Sequence, residues 1–166
     1  MLNLIGLLMQ SKKEWPRPPG AKENFLEFCT ACADCIKACP HFSIRKAGEE
    51  LGKKISSTPI IIPKENPCLM CSDFPCIQVC ETGALQLLEQ KTYTIGLAAV
   101  RDHCYMNQNQ PCDYCMVHCP TKPKAITVNA LGQMPMILSD HCTGCGECAQ
   151  ICPTDAIHIH DRRGVL

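Results

Sequence analysis

Sixteen cysteines stand in a chain of 166 residues, in four groups of four with none left over. The first run, CTACADCIKACP, holds Cys29, Cys32, Cys35 and Cys39, then Pro40. The second, PCLMCSDFPCIQVCE, holds Cys68, Cys71, Cys76 and Cys80, with Glu81 where the other runs place proline. The third, CYMNQNQPCDYCMVHCP, holds Cys104, Cys112, Cys115 and Cys119 before Pro120. The fourth, CTGCGECAQICP, holds Cys142, Cys145, Cys148 and Cys152 before Pro153. Thiolates bind soft metals, and the spacing indicates which assembly. Three sulfurs from C-x2-C-x2-C can wrap one face of a bulky inorganic cube, because each two-residue spacer turns the backbone around it. The fourth sulfur comes from elsewhere; in the C-x2-C-x2-C-x3-C-P run it ligates the other cluster of a pair. Groups one and four match that run in full. Groups two and three have widened spacers before Cys76 and after Cys104, yet both still end in C-x3-C. The expected cofactors are four [4Fe–4S] clusters on all sixteen cysteines.

Two other chemistries compete. Structural zinc favours two separated C-x2-C pairs around one small ion, which a tight triplet serves poorly; a zinc-stabilised interaction scaffold is the rival from another class. Disulfides suit an even cysteine count but belong to exported proteins.

Sharing of fourth ligands raises the question of which groups pair. Groups one and four share the regular spacing, and two and three the widened one, so the expectation is nested. Cys29, Cys32, Cys35 and Cys152 would hold one cluster, and Cys142, Cys145, Cys148 and Cys39 its partner. Cys68, Cys71 and Cys76 would take Cys119, while Cys104, Cys112 and Cys115 would take Cys80. Sequential pairing, one with two and three with four, is the alternative.

The elements that position these loops are short. Ahead of groups two to four lie PIIIP (59–63), KTYTIGLAAV (91–100) and MPMILSD (134–140); behind them come GALQLLE (83–89), KAITVNA (124–130) and DAIHIH (155–160). Such runs predict brief strands. The last two cysteines of each group, at i and i+4, predict one helical turn between them, which proline then ends. The repeats Asp102-His103-Cys104 and Asp140-His141-Cys142 mark a duplicated unit. Residues 11–24, SKKEWPRPPGAKEN, are polar and proline-rich and read as an extended arm.

Composition narrows the function. Lysine plus arginine balance aspartate plus glutamate at sixteen each, so no basic field attracts nucleic acid. Metal-bound thiolates would carry the loaded protein to a net charge of about −8. The start, MLNLIGLLMQSKKEW, is too short an apolar run to span a bilayer and lacks a twin-arginine pair or cleavage pattern. It reads as a docking or packing segment of a cytoplasmic protein, with a degenerate export signal or a membrane-surface anchor as the alternative. No catalytic triad, carboxylate pair or phosphate-cradling loop is present, so a substrate site is not expected.

RPPGA (17–21), FLEFCTACADCIKACP, PCLMCSDFPC, CETGAL, IGLAAV, CYMNQNQPCDYC and DHCTGCGECAQICP together resemble ferredoxin-type proteins of the NapG/MauM kind, which accompany periplasmic nitrate reductase and methylamine utilisation. The resemblance runs from about Pro16 to Ile159 and implies a four-cluster electron-transfer protein. It extends to electron-transfer subunits of molybdenum and tungsten oxidoreductases. The lack of a twin-arginine signal departs from the NapG pattern. The favoured reading is therefore the small subunit of a cytoplasmic tungsten or molybdenum enzyme similar to aldehyde oxidoreductase, with a NapG/MauM-type role as the alternative. A large catalytic subunit is the expected partner, with a flavin subunit or a ferredoxin beyond it; end-to-end self-association is compatible with such a relay.

The expected fold is an α+β polyferredoxin: two pseudo-symmetric lobes of short antiparallel strands and single helical turns, each lobe holding two clusters. Residues 1–24 form a partner-docking arm and 25–166 the ferredoxin domain. Nested pairing puts groups 29–39 and 142–152 in an outer lobe, and groups 68–80 and 104–119 in an inner one. Among the remaining residues, His103, His141, His158 and His160 read as strand-end or solvent-facing histidines. Trp15 is read as an anchor or a local packing residue. Lys12, Lys13, Arg17 and Lys22 read as a solvated basic arm, and Gly144 and Gly146 as sites of close backbone approach to a cluster. Glu81 is expected to alter the chain's exit without losing Cys80 as a ligand.

Overall fold

The structure, a computed structural model, describes residues 15–88 and 93–161. The apolar leader, Lys12 and Lys13 lie outside the described residues. Four helical turns each begin just before, or at, the third cysteine of a group: α2 (Asp34–Lys37), α3 (Pro75–Gln78), α4 (Tyr114–His118) and α5 (Glu147–Ile151). A further turn, α1 (Phe25–Phe28), precedes the first group. The chain enters three of these turns through a left-handed residue, Ala33, Phe74 or Gly146, so the backbone reverses just where it must curl around a ligand loop.

Six short strands form three two-stranded antiparallel sheets. β1 (Ile44–Lys46) pairs with β2 (Pro59–Ile61), with Ile44 opposite Ile61. β4 (Ile126–Val128) pairs with β5 (Pro135–Ile137), with Ile126 opposite Ile137. β3 (Leu97–Val100) pairs with β6 (Ile157–His160), with Ala98 opposite Ile159. The order of pairing occurs twice along the chain. The strand after group three pairs with the strand before group four, inside a pair made by the segments flanking both. Around groups one and two, β1–β2 is likewise enclosed by a single bridge between Ala21 and Leu85. The expected strand in GALQLLE is reduced to that bridge, while β1, which no run announced, is present.

This connectivity corrects the nested expectation. α2 packs on α3 and α4 on α5. One apolar core gathers Phe25, Cys35, Cys39, Ile44, Ile61, Cys68, Cys76 and Ile77. A second gathers Ala98, Cys115, Ile126, Cys148, Ala149 and Ile157. Group one therefore packs with group two and group three with group four, and the outer and inner groupings do not form. The physical reason is that shared loop width does not mean shared contact. The widened spacers lie toward the surface, with Ser72 and Asp73 exposed in one and Gln108, Asn109 and Gln110 exposed in the other. Closing consecutive groups also spans less chain than closing the outermost ones, which lowers the entropic cost of the loop.

The arm is corrected as well. Pro16, Pro18 and Pro19 are among the most completely buried side chains of the molecule. Proline has no backbone N–H to leave unsatisfied, so a proline-rich segment can be buried cheaply. Arg17 is buried rather than solvated. Its guanidinium donates to Thr58 Oγ1 at 2.6 Å and to the Pro59 carbonyl at 2.9 Å, and lies 5.1 Å from the centre of the Phe25 ring. Ile61 N–H donates to the Pro16 carbonyl at 2.8 Å, and Gln86 N–H to that of Gly20 at 2.9 Å. Residues 15–21 are thus part of the first core. Full burial of Phe25 and Ile61 contributes roughly 1.5–3 kcal/mol each, a modest sum for a core this small.

Candidate metal-cluster sites

Each helical turn carries its third cysteine inward: Cys35, Cys76, Cys115 and Cys148 are all buried. The first two cysteines of each group stand on the preceding loop, and the fourth follows the turn. The fourth cysteine crosses to the neighbouring group. Cys80 joins Cys29, Cys32 and Cys35 around one small cavity, and Cys39 joins Cys68, Cys71 and Cys76 around another. Cys119 joins Cys142, Cys145 and Cys148 around a third. The thiols of Cys112, Cys104 and Cys152 act electrostatically on that of Cys115, which completes a fourth quartet. The expected company of Cys152 with Cys29, of Cys39 with Cys142, of Cys119 with Cys68 and of Cys80 with Cys104 does not occur. Exchange takes place between consecutive groups.

Donor geometry bears on what these quartets can hold. All sixteen cysteines are free thiols. Among the described residues, no three Cys, His, Asp or Glu side chains converge closely enough for a single ion. Four sulfurs held apart around a cavity fit a multi-iron cube with its own sulfides better than one tetrahedral zinc, whose ligands sit about 2.3 Å from the metal. All-thiolate donor sets are those that [4Fe–4S] clusters take.

The thiols are tuned by burial and by local donors. Burial, reinforced by neighbouring thiols, pushes Cys35 and Cys76 up to about 12, and Cys68 is likewise pushed up to about 12 by burial. Burial raises Cys115 to about 11 and also raises Cys148. Two of the exchanged cysteines behave otherwise. Burial would raise Cys119 and Cys152, but the hydroxyls of Thr121 and Thr154 and nearby backbone N–H groups outweigh it and hold both thiols below the ordinary value. These threonines stand beside candidate ligands, and the ligand pattern did not reveal them. A readable signal existed: threonine stands two positions after the fourth cysteine in Cys80-Glu81-Thr82, Cys119-Pro120-Thr121 and Cys152-Pro153-Thr154. Glu81 does not displace Cys80, whose Sγ accepts the Leu85 N–H at 3.3 Å much as Cys152 Sγ accepts that of Ala156 at 3.3 Å.

Three of the four ligand loops take left-handed backbone at two places. In group four these are Gly144 (φ 70°) and Gly146 (φ 99°); group one uses Ala31 (φ 56°) and Ala33 (φ 69°) at the equivalent positions, and group two uses Met70 and Phe74. The two glycines also permit close packing, though against other segments of the chain: a Cβ on Gly144 would strike the backbone of Gly96, and one on Gly146 would strike Pro63. That packing joins group four to the chain ahead of groups two and three. Cys68 N–H donates to the Cys145 carbonyl at 2.8 Å, and Ile95 N–H to that of Thr143 at 2.9 Å. Lys64 reaches the Cys152 carbonyl at 3.2 Å and Asp155 at 3.2 Å.

The histidines stand aside from the sulfurs. His103 is exposed, with Nε2 3.3 Å from the Asp155 carbonyl, and His141 is exposed. His158 is partly buried on β6, where burial and then Arg101 hold it below its ordinary value, while His160 is exposed. Trp15 is half-buried beside Arg17 and Phe25. Lys22 holds its ammonium 4.1 Å from the centre of the Phe28 ring.

Cysteine quartets on helical turns between short antiparallel strands define an iron–sulfur protein of α+β, ferredoxin-like fold. Residues 135–158 match the family described as 4Fe-4S binding domain. The methylamine utilization ferredoxin-type protein MauM of Methylorubrum extorquens is 36% identical over 149 residues, covering 82% of this chain and 67% of the relative. The ferredoxin-type protein NapG of Escherichia coli is 36% identical over 151 residues, covering 82% of this chain and 65% of NapG. The ferredoxin-type protein NapF of the same organism is 30% identical over 147 residues, covering 85% of this chain and 82% of NapF. The chain belongs to this family of ferredoxin-type iron–sulfur proteins. It spans about two thirds of the length of MauM and NapG. No helix among the described residues is long and apolar enough to cross a membrane.

Proposed function

We propose that this protein is an electron relay of four [4Fe–4S] clusters in two pseudo-symmetric lobes. Cys29, Cys32, Cys35 and Cys80 with Cys39, Cys68, Cys71 and Cys76 serve the first lobe. Cys104, Cys112, Cys115 and Cys152 with Cys119, Cys142, Cys145 and Cys148 serve the second. The observation that carries this reading is the exchange of the fourth cysteine between consecutive groups in both halves of the chain, which is what paired clusters require. Bound clusters supply one-electron carriers. The protein's part is to grip them, exclude water from the buried cysteines and set the path.

Three contacts support one order for that path. The turns α2 and α3, which carry the buried Cys35 and Cys76, pack together in the first pair, and α4 and α5, which carry the buried Cys115 and Cys148, in the second. The peptide contact from Cys68 to Cys145 links the pairs. The relay then runs from the Cys80-containing site to the Cys39 site, on to the Cys119 site and finally to the Cys152 site. Cys32, the most solvent-open of the sixteen cysteines, sits at an end.

The chain has no substrate site in this reading and works beside a large tungsten or molybdenum oxidoreductase subunit, with a flavin protein or ferredoxin as the further partner. Sixteen thiols that must stay reduced for cluster assembly suit the cytoplasm. A second reading, a ferredoxin of a quinol-linked nitrate reductase or of methylamine oxidation, is favoured by the similarity to NapG and MauM. Anaerobic affinity purification of the full chain from its native host distinguishes them. Co-purification of a large pterin-metal subunit supports the first, recovery with a quinol-oxidising membrane partner supports the second, and zinc in place of iron overturns both.

A further inference from the structure

Three of the four exchanged cysteines have a hydroxyl beside the sulfur. Thr121 Oγ1 stands 3.3 Å from Cys119 Sγ, Thr154 Oγ1 3.5 Å from Cys152 Sγ and Thr82 Oγ1 3.6 Å from Cys80 Sγ. A cluster-bound sulfur carries no proton, so it can only accept from the hydroxyl beside it. Thr121 oxygen already accepts the Ala125 N–H at 2.8 Å, and Thr82 oxygen accepts the Ala84 N–H at 3.4 Å. The hydroxyl proton is left to donate to sulfur.

Cys39 is the exception. The residue two positions on is His41, whose side chain is exposed. The hydroxyl nearest in sequence, Ser43, is buried, and it donates to the Pro67 carbonyl at 2.6 Å. Among the described residues no hydroxyl reaches Cys39 Sγ. The same quartet is also the most enclosed: Cys39, Cys68 and Cys76 are buried, against one buried cysteine beside Cys80 and two in each of the other quartets.

We infer that Thr82, Thr121 and Thr154 raise the reduction potentials of their sites, and that the site of Cys39, Cys68, Cys71 and Cys76 is the lowest-potential step of the relay. The inference rests on the four-cluster reading above. Reduction adds one electron, and one negative charge, to a thiolate-bound cluster. A hydroxyl donating to a ligand sulfur stabilises the added charge, and burial opposes it. The low step therefore falls second in the path, next to the end at which Cys32 is exposed. Electrons crossing the molecule must climb it.

Anaerobic holo-protein titrated with dithionite and followed by EPR tests this. Thr121→Val, Thr154→Val and Thr82→Val are each expected to move one one-electron step to lower potential. A tenfold change in the reduced-to-oxidised ratio at fixed potential would be a shift of about 59 mV. Thr121→Ser, which keeps the hydroxyl, should titrate as wild type. His41→Thr should move the lowest step upward and leave the other three in place. Valine variants with full iron and unmoved potentials overturn the inference. So does a valine variant that loses a cluster when its serine counterpart restores the cluster without altering the remaining steps, because threonine would then serve assembly alone. Wild-type protein lacking iron and sulfide would instead remove the four-cluster reading itself.

Discussion

The backbone N–H of Cys68 donates to the carbonyl oxygen of Cys145 at 2.8 Å, so a cysteine of the first pair of quartets touches a cysteine of the second directly. The contact depends on a close fit: Gly144 packs on Gly96 and Gly146 on Pro63, in space that no side chain could share. Gly144→Ala would meet backbone atoms and leave an alanine at positive φ. Overpacking costs about 1–3 kcal/mol and the left-handed conformation about 1–2 kcal/mol more. The variant is expected to melt well below wild type in an anaerobic thermal scan, and to transfer electrons between the two halves more slowly in freeze-quench EPR.

Group one carries the opposite imbalance. Ala31 and Ala33 hold left-handed backbone where group four has glycine. Ala31→Gly removes that penalty and adds the chain entropy that glycine loses on folding, about 0.5–1 kcal/mol. A net stabilisation of up to about 1 kcal/mol is expected, read as a raised thermal midpoint with unchanged iron content.

Exchange of the fourth cysteine makes particular residues equivalent. Cys29→Ala and Cys80→Ala are expected to remove the same cluster, so the double variant should lose about four iron atoms, no more than either single variant. Cys29→Ala combined with Cys152→Ala should lose about eight. Nested pairing would reverse the two results. Iron analysis of the anaerobic variants decides.

Proton linkage predicts the direction of pH dependence. Burial pushes the thiols of Cys35, Cys68 and Cys76 up to about 12. A cluster binds thiolates only, so loading must expel these protons, and loading strengthens as pH rises. Cluster absorbance retained against a chelator should therefore grow from pH 6 to pH 9, and its decline over that range would contradict the linkage.

The two apolar cores are small, and cysteines contribute to both. Bound clusters would fill space that side chains leave and tie distant segments together, as structural metals do in small folds. Anaerobic removal of iron is expected to abolish the compact state, seen as lost far-UV ellipticity and an enlarged hydrodynamic radius.

Much of this molecule is legible in one dimension because ligand spacing is a local property. The helical turn after each triplet follows from the C-x3-C interval and its proline, and β2, β4, β5 and β6 follow from short β-branched runs. Pairing of the groups is not local. It depends on which strands close on which, and β1, the strand that ties group one to group two, hides in the unremarkable Ile44-Arg45-Lys46. The buried arm was hidden for a different reason. Proline and arginine suggest solvent, yet Pro16, Pro18 and Pro19 have no N–H to strand and Arg17 finds two oxygen acceptors inside. The threonines were concealed by the cysteines themselves: a motif defined by its sulfurs directs attention away from the residue two places beyond.

The central claim is that thiolate quartets hold iron–sulfur cubes that pass single electrons. Iron and acid-labile sulfide, assayed per chain on anaerobically purified protein with EPR after dithionite reduction, test it most directly. About sixteen of each, with spin signals from interacting reduced clusters, are expected. Colourless protein with bound zinc, no sulfide and no signal on reduction would contradict it.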